Sequence, residues 1–320
     1  MKKISIVVPC YNESMGIYFF VEKINEFIQF SIAYEFEVVF VDDGSIDNTA
    51  IILSDLCKTY SWIRVVQLTR NFGKEAAMTA GLDYASGDAI VFMDADLQHP
   101  PGVVSMFLEH WELGANVVVG RRSSRETDQK AYRVMAERFY RFHNKISDIK
   151  LPEHVGDFRL IDKKVANQLK MLRENSRFMK GLFAWVGYAP VFVEYDVAER
   201  THGSSSFNTW RSWNFALEGI TSFSTLPLRV WSYIGAVVLA IGIFYSMLII
   251  IKALVYGVST PGYVTLLSAV IVFGGVQLIG IGILGEYIGR IYIEVKGRPT
   301  YLIDNVAGEP SDRELFKESL

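Results

Sequence analysis

Through the first 120 residues, largely apolar runs of four or five positions recur at 4–8, 38–41, 64–68, 89–93 and 116–119. Each has strand length and is bounded by polar or turn-forming residues. Between the runs the apolar period changes. The segment "IYFFVEKINEFIQF" (17–30) spaces its apolar residues as an amphipathic helix does. Strand and helix in alternation predict an α/β fold, a mainly parallel sheet covered by helices on both faces. Ligands of such sheets bind beyond the carboxyl ends of the strands. Three polar segments follow strands here: "PCYNES", "DDGSIDNT" and "DADLQHPP".

The pattern changes in the last third. Residues 231–251 carry no charge over 21 positions, and 263–285 none over 23. About 20 apolar residues cross a bilayer as a helix, so the pair is expected to form a transmembrane hairpin turned at "STPG". Arg211 and Arg229 precede it, and Arg290, Lys296 and Arg298 follow; only Lys252 is basic between the spans. The positive-inside rule then puts both flanks in the cytoplasm, at the inner membrane of the cell. The stretch before the first span, "FNTWRSWNFALEGITSFSTLPLR", mixes Trp and Phe with few charges and reads as interfacial. The expected division is a globular cytoplasmic domain over 1–207, interfacial helices over 208–229, two transmembrane helices over 230–289, and a cytoplasmic tail over 290–320. A basic amphipathic helix is expected over 127–147.

Composition adds two limits. With 32 basic and 35 acidic residues the net charge is −3, so no basic footprint for nucleic acid exists. The mean hydropathy of +0.21 agrees with membrane spans. Two cysteines, Cys10 and Cys57, do not make a disulfide framework, and a reducing cytoplasm is expected. The opening "MKKISIVVPCYNES" imitates a signal peptide, but its apolar run stops at Pro9 and reads as a strand. "GIGILG" (280–285) spells a dinucleotide fingerprint inside a transmembrane run, without the strand–turn–helix setting that fingerprint requires. Its small residues instead permit close helix packing.

In "VFMDADLQHPP" a buried-strand signal runs straight into two carboxylates. On an extended segment Asp94, Asp96 and Gln98 would share one face. Crowded carboxylates repel unless a cation lies between them, and hard oxygen ligands suit Mg²⁺ or Mn²⁺, ions that escort phosphates. A solvated turn is the plainer alternative.

Taken together, "VVPCYNE", "VDDGSIDNT", "NFGKEAAMTAGLDYASGD" and "MDADLQHPP" resemble the family-two inverting glycosyltransferases of GT-A fold. "GDFRLID", "RFMKGLFAWVGY", "WNFALEGITSFSTLPLR" and the two-span tail narrow the resemblance to polyprenyl-phosphate glycosyltransferases, a group that includes dolichol-phosphate mannose synthases and bactoprenol glucosyltransferases. The resemblance covers nearly the whole chain. It implies that Pro9, Tyr11, Glu13, Asp42 and Asp43 hold the nucleoside of a nucleotide sugar. Asp94, Asp96 and Gln98 would hold Mg²⁺ or Mn²⁺ on its pyrophosphate, with Asp96 counted among the catalytic group. Arg122 and Arg133 match phosphate-contacting positions, where guanidinium forks suit phosphate oxygens. Asp157 matches the proposed catalytic carboxylate. Lys74, at a helix start after Gly73, is a candidate for meeting an anion.

A departure stands in "RTHGSSSF". Relatives often read R-x-x-G-x-S-K-aromatic, but here Arg200 and Gly203 are kept and Ser206 replaces the lysine. Arg200 is then expected to carry more of the phosphate charge. The implied reaction is transfer of a hexose, glucose from UDP-glucose first, to undecaprenyl phosphate on the cytoplasmic leaflet. The alternatives are mannosyl or N-acetylhexosaminyl transfer to the same lipid, or a non-catalytic membrane scaffold. A processive synthase is disfavoured, because Q-x-x-R-W and further spans are absent. The sequence leaves the sugar, the nucleotide and any homo-oligomer open.

Overall fold

The structure, a computed structural model, describes residues 1–122, 155–175, 177–196 and 262–308, with scattered positions between 231 and 255. Strand and helix alternate as expected through β1 (Lys2–Cys10), α1 (Ile17–Phe30), β2 (Tyr34–Asp42), α2 (Thr49–Thr59), β3 (Ile63–Leu68), α3 (Lys74–Tyr84), β4 (Ala89–Phe92) and α4 (Gly102–Glu112). Then follow β5 (Val117–Arg122), β6 (Val155–Asp162), α5 (Lys163–Met171), α6 (Met179–Trp185), β7 (Val191–Tyr195), α7 (Tyr263–Val295) and β8 (Ile303–Ala307). Helix α1 coincides with the segment predicted from its apolar spacing.

The strands form one eight-stranded sheet in the order β7-β5-β6-β4-β1-β2-β3-β8. Its centre, β4-β1-β2-β3, is parallel. Strand β6 enters antiparallel between β4 and β5, β7 lies parallel to β5, and β8 closes the far edge antiparallel to β3. The sheet is therefore mixed. Strands β6, β7 and β8 lie outside the alternation read from the sequence, because the turn-bounded runs counted there ended at residue 119.

The central strands are apolar on both faces because helices cover both. Helices α1, α2 and α4 pack on one face through Phe20, Leu53 and Phe107. Helices α3, α5 and α6 pack on the other through Ala77, Leu169 and Leu182. Helix α3 approaches closely because its inward positions are small: a Cβ on Gly81 would collide with Val7 of β1. That approach fixes the start of α3, and Lys74 with it, over the carboxyl ends of the strands.

Helix α7 runs 33 residues, about 50 Å at 1.5 Å per residue, and its stretch Phe273–Val295 is long and apolar enough to cross a membrane. It continues past the uncharged run 263–285, where Arg290 pairs with Glu286 one turn back, at 2.9 Å. "GIGILG" is helical throughout, so the dinucleotide reading fails. Gly280 packs against the indole of Trp231, the close approach expected of its small residues. Past α7 the chain returns to the sheet. Thr69 donates to the Leu302 carbonyl at 3.0 Å, and the Tyr301 hydroxyl donates to Asp83 Oδ2 at 2.7 Å. Within the segment 290–320, residues 303–307 are thus a strand of the sheet. The expected helix over 127–147 and interfacial segment over 208–229 lie outside the described residues.

Candidate active site

The three polar segments meet beyond the carboxyl ends of β1, β2 and β4. Asp42 is the last residue of β2 and fully buried. Its Oδ1 accepts from Ser45 N at 3.2 Å, while its buried Oδ2 has no hydrogen-bond partner among the described residues. Burial pushes its pKa above the usual carboxylate value. Asp43 accepts from Phe72 N at 2.7 Å and Gly73 N at 2.9 Å, tying the loop before α3 to the end of β2. Gly44 makes this possible: it holds φ +65°, and a Cβ there would collide with the Arg70 backbone. Pro9 is the penultimate residue of β1, and Tyr11 lies exposed just beyond it. Asn12, at φ +55°, accepts from Ile46 N at 2.9 Å, and Glu13 N donates to Thr49 Oγ1 at 2.9 Å. The structure thus gathers Pro9, Tyr11, Glu13, Asp42 and Asp43 at the carboxyl ends of β1 and β2, with an Asp42 oxygen unpartnered among the described residues.

The segment after β4 corrects one expectation. The chain is not extended beyond Phe92 but turns, with Leu97 at φ +56° and Gln98 N donating to Asp96 Oδ1 at 3.1 Å. Asp and Gln after an apolar strand permit an Asx turn, and that local hydrogen bond wins over strand continuation. The alternation survives in burial nonetheless. Met93, Ala95, Leu97 and His99 are buried, while Asp94, Asp96 and Gln98 are partly exposed. His99 holds the turn in place. Its ring stacks on Phe158 with centroids 4.6 Å apart, and its Nδ1 accepts from Asp94 N at 3.4 Å. Burial lowers its pKa, leaving a neutral imidazole.

Lys74 connects the two carboxylates of greatest interest. Its Nζ lies 2.6 Å from Asp94 Oδ1 and 2.9 Å from Asp157 Oδ2. Asp157, on β6, has Lys180 Nζ 4.0 Å from its other oxygen. Burial alone would raise the Asp157 pKa, but Lys74, Lys180 and Arg159 outweigh it and hold the carboxyl well below the usual range. Asp94 is likewise lowered, burial being overcome chiefly by the Lys74 ammonium. Lys74 is raised, because the two carboxylates outweigh its desolvation, and stays an ammonium. Glu75, the next residue, is pushed up to about 7 by burial and by the Asp157 charge. Its Oε2 accepts from Met179 N at 2.9 Å and so anchors the start of α6.

Arg122, the last residue of β5, lies beside Tyr195 and lowers its pKa, though burial still leaves that pKa raised. Arg133, Arg200 and Ser206 lie outside the described residues. Lys180, Glu75, His99 and Tyr195 were missed by sequence reasoning. For Lys180 a signal existed: a lone charge within the otherwise apolar "FMKGLFAW". Burying an ammonium there is costly without a carboxylate to meet it.

Residues 5–170 match the family described as Glycosyl transferase family 2. The chain belongs to that family. It is a glycosyltransferase, and the mixed sheet with helices on both faces is its GT-A domain. Residues 226–291 match a second family, the GtrB C-terminal hairpin, which with α7 marks the transferase as membrane-associated. A bactoprenol glucosyl transferase derived from prophage SfII in Shigella flexneri is 52% identical over 301 residues, covering 94% of this chain and 97% of its own length. That of Shigella phage SfV is 51% identical over 303 residues, covering 95% and 98%. A prophage bactoprenol glucosyl transferase homolog from Escherichia coli strain K12 is 48% identical over 304 residues, covering 95% and 99%.

Proposed function

We propose that this transferase moves glucose, with inversion, from UDP-glucose to bactoprenol (undecaprenyl) phosphate at the cytoplasmic face of the inner membrane. The observation that carries the reading is the near-full-length match, spanning domain and hairpin together, to proteins named bactoprenol glucosyl transferases. The product is a polyprenyl-phosphate sugar for envelope or O-antigen modification.

The site suits that chemistry. The nucleoside lies against Pro9, Tyr11, Glu13, Asp42 and Asp43, with the unfilled Asp42 oxygen accepting from a base or ribose donor. Asp94 and Asp96 supply hard oxygens beside Gln98, which fits Mg²⁺ or Mn²⁺. Among the described residues no group of three acidic, histidine or cysteine side chains converges, so diphosphate oxygens and water would complete the coordination. Such an ion, when bound, acts as a Lewis acid on the departing diphosphate. Arg122, Arg133 and Arg200 supply further positive charge to phosphate oxygens, and Arg200 more so because Ser206 replaces a lysine.

A lipid phosphate oxygen attacks the anomeric carbon as the bond from that carbon to the UDP oxygen breaks. The new bond is β if the donor is α-linked. A phosphate monoester, with a second pKa near 6, is largely a dianion at neutral pH and has no proton to lose. Asp157 is a poor base in any case, since Lys74 and Lys180 hold it ionised. Its work is to orient the two lysines beside the reacting phosphates. The test offers membranes containing the protein a panel of labelled UDP- and GDP-sugars with undecaprenyl phosphate. Label from UDP-glucose should enter the organic phase, and label from a mannose or N-acetylhexosamine donor alone would overturn the assignment.

A further inference from the structure

Resting on that reading, we infer that Lys180 binds the phosphate of the lipid acceptor and sets the affinity for it. The charges of the site form an ordered row, Asp94, Lys74, Asp157, Lys180, in which each member touches the next. Asp94 stands at the donor end, beside the diphosphate. Lys180 stands at the other end, beyond Asp157.

The environment of Lys180 leaves it available. At 4.0 Å from Asp157 Oδ1 it forms an ion pair without a hydrogen bond, and that oxygen has no hydrogen-bond partner among the described residues. An ammonium carries three donors, so Lys180 keeps donors for an anion entering between it and solvent. Its side chain is 25% exposed, open to a ligand but partly shielded from water. It is also held in place. Glu75 of α3 accepts the backbone N–H of Met179, the adjacent residue, at 2.9 Å. The same α3 carries Lys74, so one helix fixes both lysines around Asp157.

The direction of approach points to the lipid. Five residues before Lys180, Asn175 donates its backbone N–H to Glu294 Oε1 at 2.8 Å and its amide to Glu294 Oε2 at 3.3 Å. Glu294 is in the last turn of α7, at the end of the apolar stretch Phe273–Val295. Arg177 between them ties the segment to α5, donating to the Leu169 and Leu172 carbonyls at 2.9 and 2.6 Å. A phosphate carried on a membrane-embedded chain meets the domain on this side. A water-soluble nucleotide sugar has no such constraint and enters at the strand ends.

The experiment measures both substrates for wild type, Lys180→Met and Lys180→Arg in detergent, with donor binding followed by calorimetry. Loss of one charge-assisted contact should raise the KM for undecaprenyl phosphate roughly 10- to 100-fold in Lys180→Met and leave the donor KM and Kd within about twofold. Lys180→Arg, which keeps the charge, should recover most of the lipid affinity. A rise in donor KM, failure of either variant to bind donor, or a fall in kcat with lipid KM unchanged would each overturn the assignment. A wild-type enzyme that transfers no glucose to undecaprenyl phosphate would instead overturn the proposed function.

Discussion

Replacing Lys74 by methionine removes the cation shared by Asp94 and Asp157 while keeping the length of the side chain. The two carboxylate oxygens contact one nitrogen at 2.6 and 2.9 Å, so they lie no more than 5.5 Å apart. At an effective dielectric near 20, two such charges repel by about 3 kcal/mol, equivalent to roughly two pKa units. The Lys74 side chain is 45% exposed and that of Asp94 30%, so solvent screens part of this, and the variant also escapes the cost of burying an ammonium. About 1–2 kcal/mol of lost stability at pH 7.5 is a fair expectation, or roughly 2–8 °C in Tm.

The sign of the pH dependence makes this decisive. In the wild type the Asp157 pKa is depressed, so its ionisation contributes stability above the ordinary carboxylate pKa, lost only as pH falls through the lower folded value. In Lys74→Met the repelling pair has one pKa raised, so ionisation costs stability as pH rises through it. The Tm gap between the two proteins should be widest at pH 7.5 and should narrow below about pH 5. Thermal unfolding in EDTA, which keeps metal ions off the carboxylates, reads this directly. A gap that is constant from pH 4 to 8, or absent at pH 7.5, would refute the shared-cation reasoning. In the metal-loaded enzyme, kcat/KM should fall by at least about ten-fold.

Asp96→Asn should lower turnover by at least roughly a few hundred-fold, and EDTA should silence the wild type, as expected of a metal clamp worth several kcal/mol in the transition state. Glu75→Gln should be more stable than wild type above pH 7 and equal to it near pH 4. The folded pKa of about 7 lies above the ordinary 4.5, so wild-type stability falls as pH rises between them, and the amide still accepts from Met179 N. Ser259→Cys should react with an impermeant thiol reagent in intact cells and Ser311→Cys should not; the reverse labelling would overturn the proposed topology.

Legibility in the sequence followed the range of the interaction involved. Helix α1 and the central strands were readable because apolar period is a local signal, and their fully buried residues, such as Ile6 and Val39, required nothing else. Asp94 and Asp96 were found because carboxylates directly after a buried strand are unusual, and Asp157 because its motif resembles a family's. The turn after Phe92 was misjudged, since an Asx hydrogen bond within two residues can override strand continuation. The partners of those carboxylates were harder. Lys74 and Asp157 are 83 residues apart, joined only because β6 inserts beside β4, and a crossover of that kind leaves no local pattern. The same holds for Glu75 and Met179, 104 residues apart. The segment 303–307 read as part of a tail because its pairing with β3 is equally nonlocal.

That last pairing constrains the membrane topology more firmly than charge counting does. Strand β8 exchanges backbone hydrogen bonds with β3, so the chain after α7 lies on the same side of any bilayer as the sheet. A chain that leaves a domain, crosses a membrane and rejoins that domain must cross an even number of times. If α7 is one crossing, a second must precede it between β7 and α7, and the uncharged run 231–251 is the segment with the length and composition for it. Only seven residues separate Val295 from Ile303, at most about 28 Å of extended chain between the eight residue steps. With Asn175 bonded to Glu294 as well, the end of α7 is tied to the domain from both sides, through β8 and through the segment before α6. If α7 spans a bilayer, that restraint would favour a site that meets both a soluble nucleotide and a lipid phosphate, because Lys74 and Lys180 would stay near the membrane surface in each cycle.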